Sequence, residues 1–142
     1  ELRRAFRELS EAGAKQTRLT VTLVSFGYKY GVPMEADLLF DVRFLPNPYF
    51  VAGLRDLTGK DRAVQDYVSA ADTTQPFLDK TADLLMFLMP HYMTEGKSYL
   101  TIGVGCTGGR HRSVTVVERL KPMLSSIEGA RWRTRHRDVA VV

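Results

Sequence analysis

The nine residues Gly105–Ser113, reading GCTGGRHRS, hold the densest chemistry in the chain. Glycines at 105, 108 and 109 can take positive φ and let backbone N–H groups turn inward with no Cβ in the way. Arg112 offers a planar fork that matches two phosphate oxygens, and Thr107 and Ser113 add hydroxyls. Arg110 and His111 stand where they either join such a site or face solvent. The helix expected from Ser113 would aim its unpaired N–H groups and its positive dipole end at the same point. This composition predicts a loop that grips a phosphate group. The plainer alternative is a glycine-rich turn into an ordinary helix. The pattern GxxxxGK[ST] is absent, so nucleotide hydrolysis by P-loop chemistry has no support here.

Cys106 and Arg112-Ser113 also fit the C-x5-R-S spacing of cysteine phosphatases, where a thiolate attacks phosphorus and the arginine holds the equatorial oxygens. The positive field of the loop would favour the thiolate. Gly105 stands where those enzymes carry histidine, and the general acid has only Asp41 as a candidate. A lone cysteine at a buried strand end is otherwise a small hydrophobe. The expectation is a binding domain, not an enzyme, with no catalytic residue unless Cys106 serves as nucleophile. No metal site and no cofactor is assigned, since a single cysteine excludes any multi-cysteine cluster.

Further candidates surround the loop. Lys29 sits in a glycine-flanked turn between Tyr28 and Tyr30, where the aromatics suit a sugar or a base and the lysine a phosphate. Asp41 and Arg43 lie at a strand end, as a ligand contact or as a structural ion pair. Asn47 is held between two prolines, stiff enough to bind or to cap its own loop. His91, after Pro90, reads as structural. Arg131, Arg133, Arg135 and Arg137 alternate, so a strand would point all four to one face. That gives a basic stripe for RNA, or an edge strand guarded by charge. His136 in the same segment would pair with an anionic ligand or a neighbouring subunit.

These residues need a frame. The length of 142 residues suits a single domain over 1–142, with 1–18 as an N-terminal helical extension or linker. Leu19–Phe26, Asp37–Phe44, Lys97–Val104 and Ala130–Arg137 read as strands, the last as an edge with Trp132 packed inward. Leu2–Ala12, Asp61–Ala70, a helix from about Thr74 and Ser113–Ser126 read as helical. Thr74 suits an N-cap, and Pro90 should end or kink that helix. Leu45–Gly59, rich in proline and glycine, reads as a long loop, a place where function concentrates. Alternating strands and helices predict an α/β three-layer sandwich with a mainly parallel sheet, whose ligands sit at the carboxyl ends of the strands. The net charge of +4 favours acidic partners. The longest apolar run, Leu84–Met89, is too short to span a bilayer. One cysteine and no signal peptide point to the cytoplasm. A start without methionine leaves open whether sequence lies upstream.

The segments SFGYKYG (Ser25–Gly31), ADLLFDVRFLPNP (Ala36–Pro48), LTGKD (Leu57–Asp61), SYLTIGVGCTGGRHRS (Ser98–Ser113) and RHR (Arg135–Arg137) resemble the C-terminal domain of the RNase adapter protein RapZ and its YvcJ relatives. The resemblance runs from about residue 19 to 138. It implies a bacterial module that senses glucosamine-6-phosphate, binds small regulatory RNA for an endoribonuclease, and works as a homo-oligomer. It also implies an N-terminal nucleotide-binding domain that this chain does not carry. By position, Thr107, Gly108, Gly109 and Arg112 would hold the phosphate, with Lys29 and Arg43–Pro48 alongside. Tyr49 stands where relatives often carry histidine, so it can stack or donate but adds no charge. The tail DVAVV lacks the basic cluster of RNA-binding members, which should weaken affinity for a phosphate backbone. Phosphosugar sensing is therefore the leading expectation and RNA recruitment the second.

Overall fold

The computed structural model describes residues 16–141. The helix expected at Leu2–Ala12 lies outside the described residues. Four strands are formed: β1 (Leu19–Gly27), β2 (Leu38–Asp41), β3 (Tyr99–Cys106) and β4 (Ala130–His136). Three helices join them: α1 (Arg62–Ser69), α2 (Thr74–Glu95) and α3 (Arg112–Leu124). The strands pair in the order β2-β3-β1-β4, every pair parallel. The result is an α/β sandwich on a parallel sheet, as the alternation of elements predicts.

Strand pleating divides the residues. Leu19, Val21 and Leu23 of β1 and Leu100, Ile102 and Val104 of β3 enter one apolar cluster with Leu78, Leu85, Met89, Val117 and Leu120 of the helices. Thr20, Thr22 and Thr101 fall on the other face, where they stay half-buried. Register then sets the site. Gly27 pairs with Cys106 and Asp41 with Gly105, so β1, β2 and β3 end at one level and release their loops together.

Several boundaries differ from the sequence expectation. β2 stops at Asp41, because its carboxylate turns back to accept the Arg43 amide at 3.0 Å. Pro90 neither ends α2 nor marks its last turn. The helix continues to Glu95 while Leu85, Met89 and Met93 stay buried in the core, and Gly96 stops it at φ 97°. Thr74 does not cap α2 with its own hydroxyl, which instead donates to the Val68 carbonyl at 2.6 Å and ties α1 to α2. β4 ends at His136, leaving Arg137 beyond it.

The same pleat that exposes Arg131, Arg133 and Arg135 turns His136 inward. Its side chain is only 7% exposed. Nε2 donates to the Glu118 carboxylate at 2.9 Å, and Nδ1 then accepts from the Ser25 hydroxyl at 2.7 Å. The imidazole links β4, β1 and α3, which corrects its expected role toward a ligand or subunit. Burial pushes its pKa below the usual value of 6.5 although Glu118 pulls upward. His111 shifts the same way, again chiefly by burial. A depressed histidine is protonated more readily in the unfolded chain, so its stabilising effect is full above pH 6.5 and fades below it. Thermal melts from pH 7.5 to 5.5 should show a falling Tm, with a shallower fall in His136→Asn. A Tm that rises on acidification contradicts this assignment.

Candidate functional site

Arg112 opens α3, yet its side chain is withdrawn from solvent at 5% exposure. Nη1 donates to the Arg43 carbonyl at 2.6 Å and to the Leu45 carbonyl at 3.2 Å, both from the turn after β2. Nη2 reaches the Thr107 hydroxyl at 3.3 Å, and Nε has no partner. Among the described residues no carboxylate pairs with this guanidinium. One edge is therefore anchored by main-chain oxygens, while the Nε edge is left without an acceptor. A buried cation in that state is costly unless an anion completes it.

Arg112 lines a cavity of about 500 Å³ at the carboxyl ends of the strands. Three chain segments meet there. The loop after β1 brings Lys29 and Tyr30, the excursion after β2 brings Asn47, Tyr49, Phe50, Arg55 and Asp56, and the glycine loop brings Cys106–Gly108 and Arg110–Arg112. Val141 closes one side. Four permanent cations thus face one carboxylate, Asp56, around a single space. Among the described residues, no trio of His, Cys, Asp and Glu could hold a metal ion.

The glycines of the loop have separate duties. Gly109 alone takes positive φ, at 77°, and a Cβ there would stand 2.5 Å from the Gly27 nitrogen. Gly105 stays in β3, where a Cβ would meet the Phe26 and Tyr28 rings at 2.5 and 2.6 Å. A Cβ on Gly108 would meet nothing within 4 Å. The expectation of positive φ at all three is corrected to one. At the start of α3 no side chain caps the free amides and no acid occupies the first turn, so its dipole end is unneutralised.

Ser113 is fully buried and does not line the cavity, sharing a hydrogen bond with the Cys106 sulfur at 3.2 Å. The same sulfur accepts the Gly109 amide at 3.3 Å, so the cysteine braces the loop from below. Arg43 is likewise redirected. Its guanidinium grips Asp41 through both carboxylate oxygens and stacks on Tyr28 at 4.0 Å, and only its carbonyl serves the site. That grip holds the Asp41 carboxyl below its ordinary range, ionised and unsuited to donate a proton.

Of the remaining expected ligand residues all but Gly109, whose amide is turned to the Cys106 sulfur, line the cavity, several with a structural bond as well. His111 Nε2 donates to the Arg55 carbonyl at 3.0 Å, and Arg110 donates to that of Asp56 at 3.3 Å. Asn47 accepts the Tyr49 amide at 3.1 Å and fixes a short 3-10 turn at Pro48–Phe50. Lys29 lies over the Tyr30 ring at 5.1 Å. Tyr30, the aromatic expected beside Lys29, is a wall residue, while Phe50, Arg55, Asp56 and Val141 line the cavity without having been singled out by the sequence. Arg55 stacks on Tyr49 at 4.6 Å and donates to its carbonyl, so the one cation of Leu45–Gly59 was the available signal.

The basic stripe lies elsewhere. Arg131, Arg133 and Arg135 are exposed on one face of β4, and Arg135 pairs with Glu35. Arg137 leaves the stripe because the strand has ended, and it pairs with Asp138 instead.

Comparison with known proteins places the chain in a family. The family model described as RapZ C-terminal domain matches residues 19–140. The chain belongs to the RapZ C-terminal domain family. A protein named nucleotide-binding protein from Moorella thermoacetica is 53% identical over 127 residues, covering 89% of this chain and 42% of that protein. Another of that name from Desulforamulus reducens is 54% identical over 122 residues, with 86% and 41% covered. A relative from Sorangium cellulosum, also named nucleotide-binding protein, is 52% identical over 143 residues, covering the whole chain and 40% of its own length. This RapZ C-terminal domain thus spans about two fifths of the curated relatives it matches. No helix among its described residues is long and apolar enough to cross a membrane.

The duties of the glycines give a contrast that equal residues in a sequence would hide. Gly109→Ala should cost roughly 2 kcal/mol or more, through positive φ and overlap with Gly27. Gly108→Ala should stay within about 0.5 kcal/mol in the same urea titration, since its site is open. Equal losses at both positions contradict the stacking of the loop on Gly27.

Proposed function

We propose that this domain binds a phosphorylated sugar, with glucosamine-6-phosphate as the leading ligand, and does so without turning it over. The observation that carries the reading is the buried Arg112 guanidinium, held by carbonyls and lacking an acceptor at Nε. A tetrahedral oxyanion would take the Nε edge, the Thr107 hydroxyl and the uncapped amides of the loop together. Lys29, Arg55 and Arg110 add charge around it, while Tyr30, Tyr49 and Asp56 suit the hydroxyls or amine of a sugar. Membership in the RapZ C-terminal domain family supports the same ligand class. Binding in an oligomer beside an N-terminal nucleotide-binding domain belongs to this proposal. So does a cytoplasmic setting.

A second reading, an RNA-binding adapter, draws on the exposed ridge of Arg131, Arg133 and Arg135. Three guanidiniums in a row would contact a phosphate backbone weakly and with strong salt dependence. The phosphatase reading draws on Cys106 at the cavity floor, but its expected acid, Asp41, is held ionised by Arg43.

Thermal shift separates these readings. Glucosamine-6-phosphate should raise Tm by several degrees at a hundredfold excess over Kd, and unphosphorylated glucosamine should not. Arg112→Ala should abolish the response, and an aryl phosphate should not be hydrolysed. A shift that persists in Arg112→Ala, or hydrolysis lost in Cys106→Ala, would overturn the proposal.

A further inference from the structure

We infer that Asp138 is a positioning residue for the glycine loop, acting through the Gly27 amide on which that loop rests. Asp138 follows β4, does not line the cavity, and is 6% exposed. Its Oδ2 accepts the Gly27 N–H at 2.8 Å, a buried bond across 111 residues of sequence. Arg137 completes the carboxylate with Nε at 3.1 Å to Oδ1 and Nη2 at 2.9 Å to Oδ2. The same Nη2 donates to the Gly31 carbonyl at 2.6 Å, and the Arg137 amide donates to Ser25 at 3.0 Å. One pair therefore fixes both ends of the Ser25–Gly31 segment.

The glycine loop sits directly on that segment. A Cβ on Gly27 would stand 2.4 Å from the Gly108 carbonyl carbon, and one on Gly109 would stand 2.5 Å from the Gly27 nitrogen and 3.0 Å from the Asp138 Cβ. The Lys29 amide also donates to the Thr107 carbonyl at 3.2 Å. Asp138, Gly27 and Gly108–Gly109 form a stack with no room for a side chain between its layers. An ion pair withdrawn this far from water, with Asp138 buried and Arg137 half-buried, adds little stability by itself. Here it sets the height of the peptide beneath the loop, where small displacements change binding strongly. The Val141 amide donates to the Asp138 carbonyl at 3.1 Å, so the residue that seats the loop also holds a cavity wall.

The ligand arm of this inference rests on the phosphosugar reading, and the loop arm does not. The test compares wild type, Asp138→Ala and Asp138→Asn by amide hydrogen exchange at Gly27, Gly108 and Gly109 without ligand, and by calorimetric titration with glucosamine-6-phosphate. Asp138→Ala should lose Gly27 protection, speed exchange at Gly109 and weaken binding by about tenfold. Asp138→Asn, which can still accept the Gly27 amide, should recover part of both. If alanine does not fold, the asparagine variant decides by the same two readouts. Unchanged Gly109 exchange in a variant that has lost Gly27 protection overturns the inference, as does unchanged affinity. A wild type that binds no sugar phosphate sinks the phosphosugar reading alone, and the exchange data still judge Asp138.

Discussion

A guanidinium removed from water has to find its oxygens within the protein or in a ligand, and Arg112 finds only part of what it needs. Two main-chain carbonyls and one hydroxyl engage it, and none of them carries a charge. Those carbonyls exist where they do because β2 stops at Asp41 and turns. The turn is shaped by the Asp41 carboxylate on the Arg43 amide and by the Arg43 guanidinium returned to the same carboxylate. The parallel register of β2 with β3 then brings this turn level with the glycine loop. Sheet topology thus holds a cation with one edge satisfied and one edge waiting.

Charge is divided between two surfaces of the domain. Lys29, Arg55, Arg110 and Arg112 surround a cavity, where the burial of Arg112 strengthens its interaction with an anion while Lys29 and Arg55 stay exposed at the rim. Arg131, Arg133 and Arg135 lie on an open strand, where salt screens them. The modest net charge of +4 conceals this concentration. Under the proposed function, a small phosphorylated ligand would use the first surface and a long polyanion the second.

Much of this was legible in the sequence, for reasons that differ by residue. Glycines, hydroxyls and a guanidinium within nine residues mark the candidate loop, because their chemistry is local. The alternation of β4 also contained the burial of His136, since a pleat that sends Arg133 and Arg135 outward sends the residue between and beyond them inward. The stripe was read one residue too far, as nothing local announces that the strand ends before Arg137. Pro90 does not end its helix, because the tertiary burial of Leu85, Met89 and Met93 outweighs one missing hydrogen bond. Asp56 and Phe50 were not legible, since the Leu45–Gly59 excursion has no periodicity to tell which side chains face inward, and Arg55 announced itself only as the one cation there. Nor could sequence separate Gly108 from Gly109, a difference created by contact with Gly27.

The most direct measurement follows the Arg112 Nε–H resonance by ¹⁵N-edited NMR during titration with glucosamine-6-phosphate. A donor gaining an anionic acceptor should move downfield and saturate with the backbone amides of Thr107 and Gly108 at one equivalent. If the amides saturate while the Nε–H signal stays still, the ligand sits elsewhere and the waiting edge of Arg112 is not what binds it.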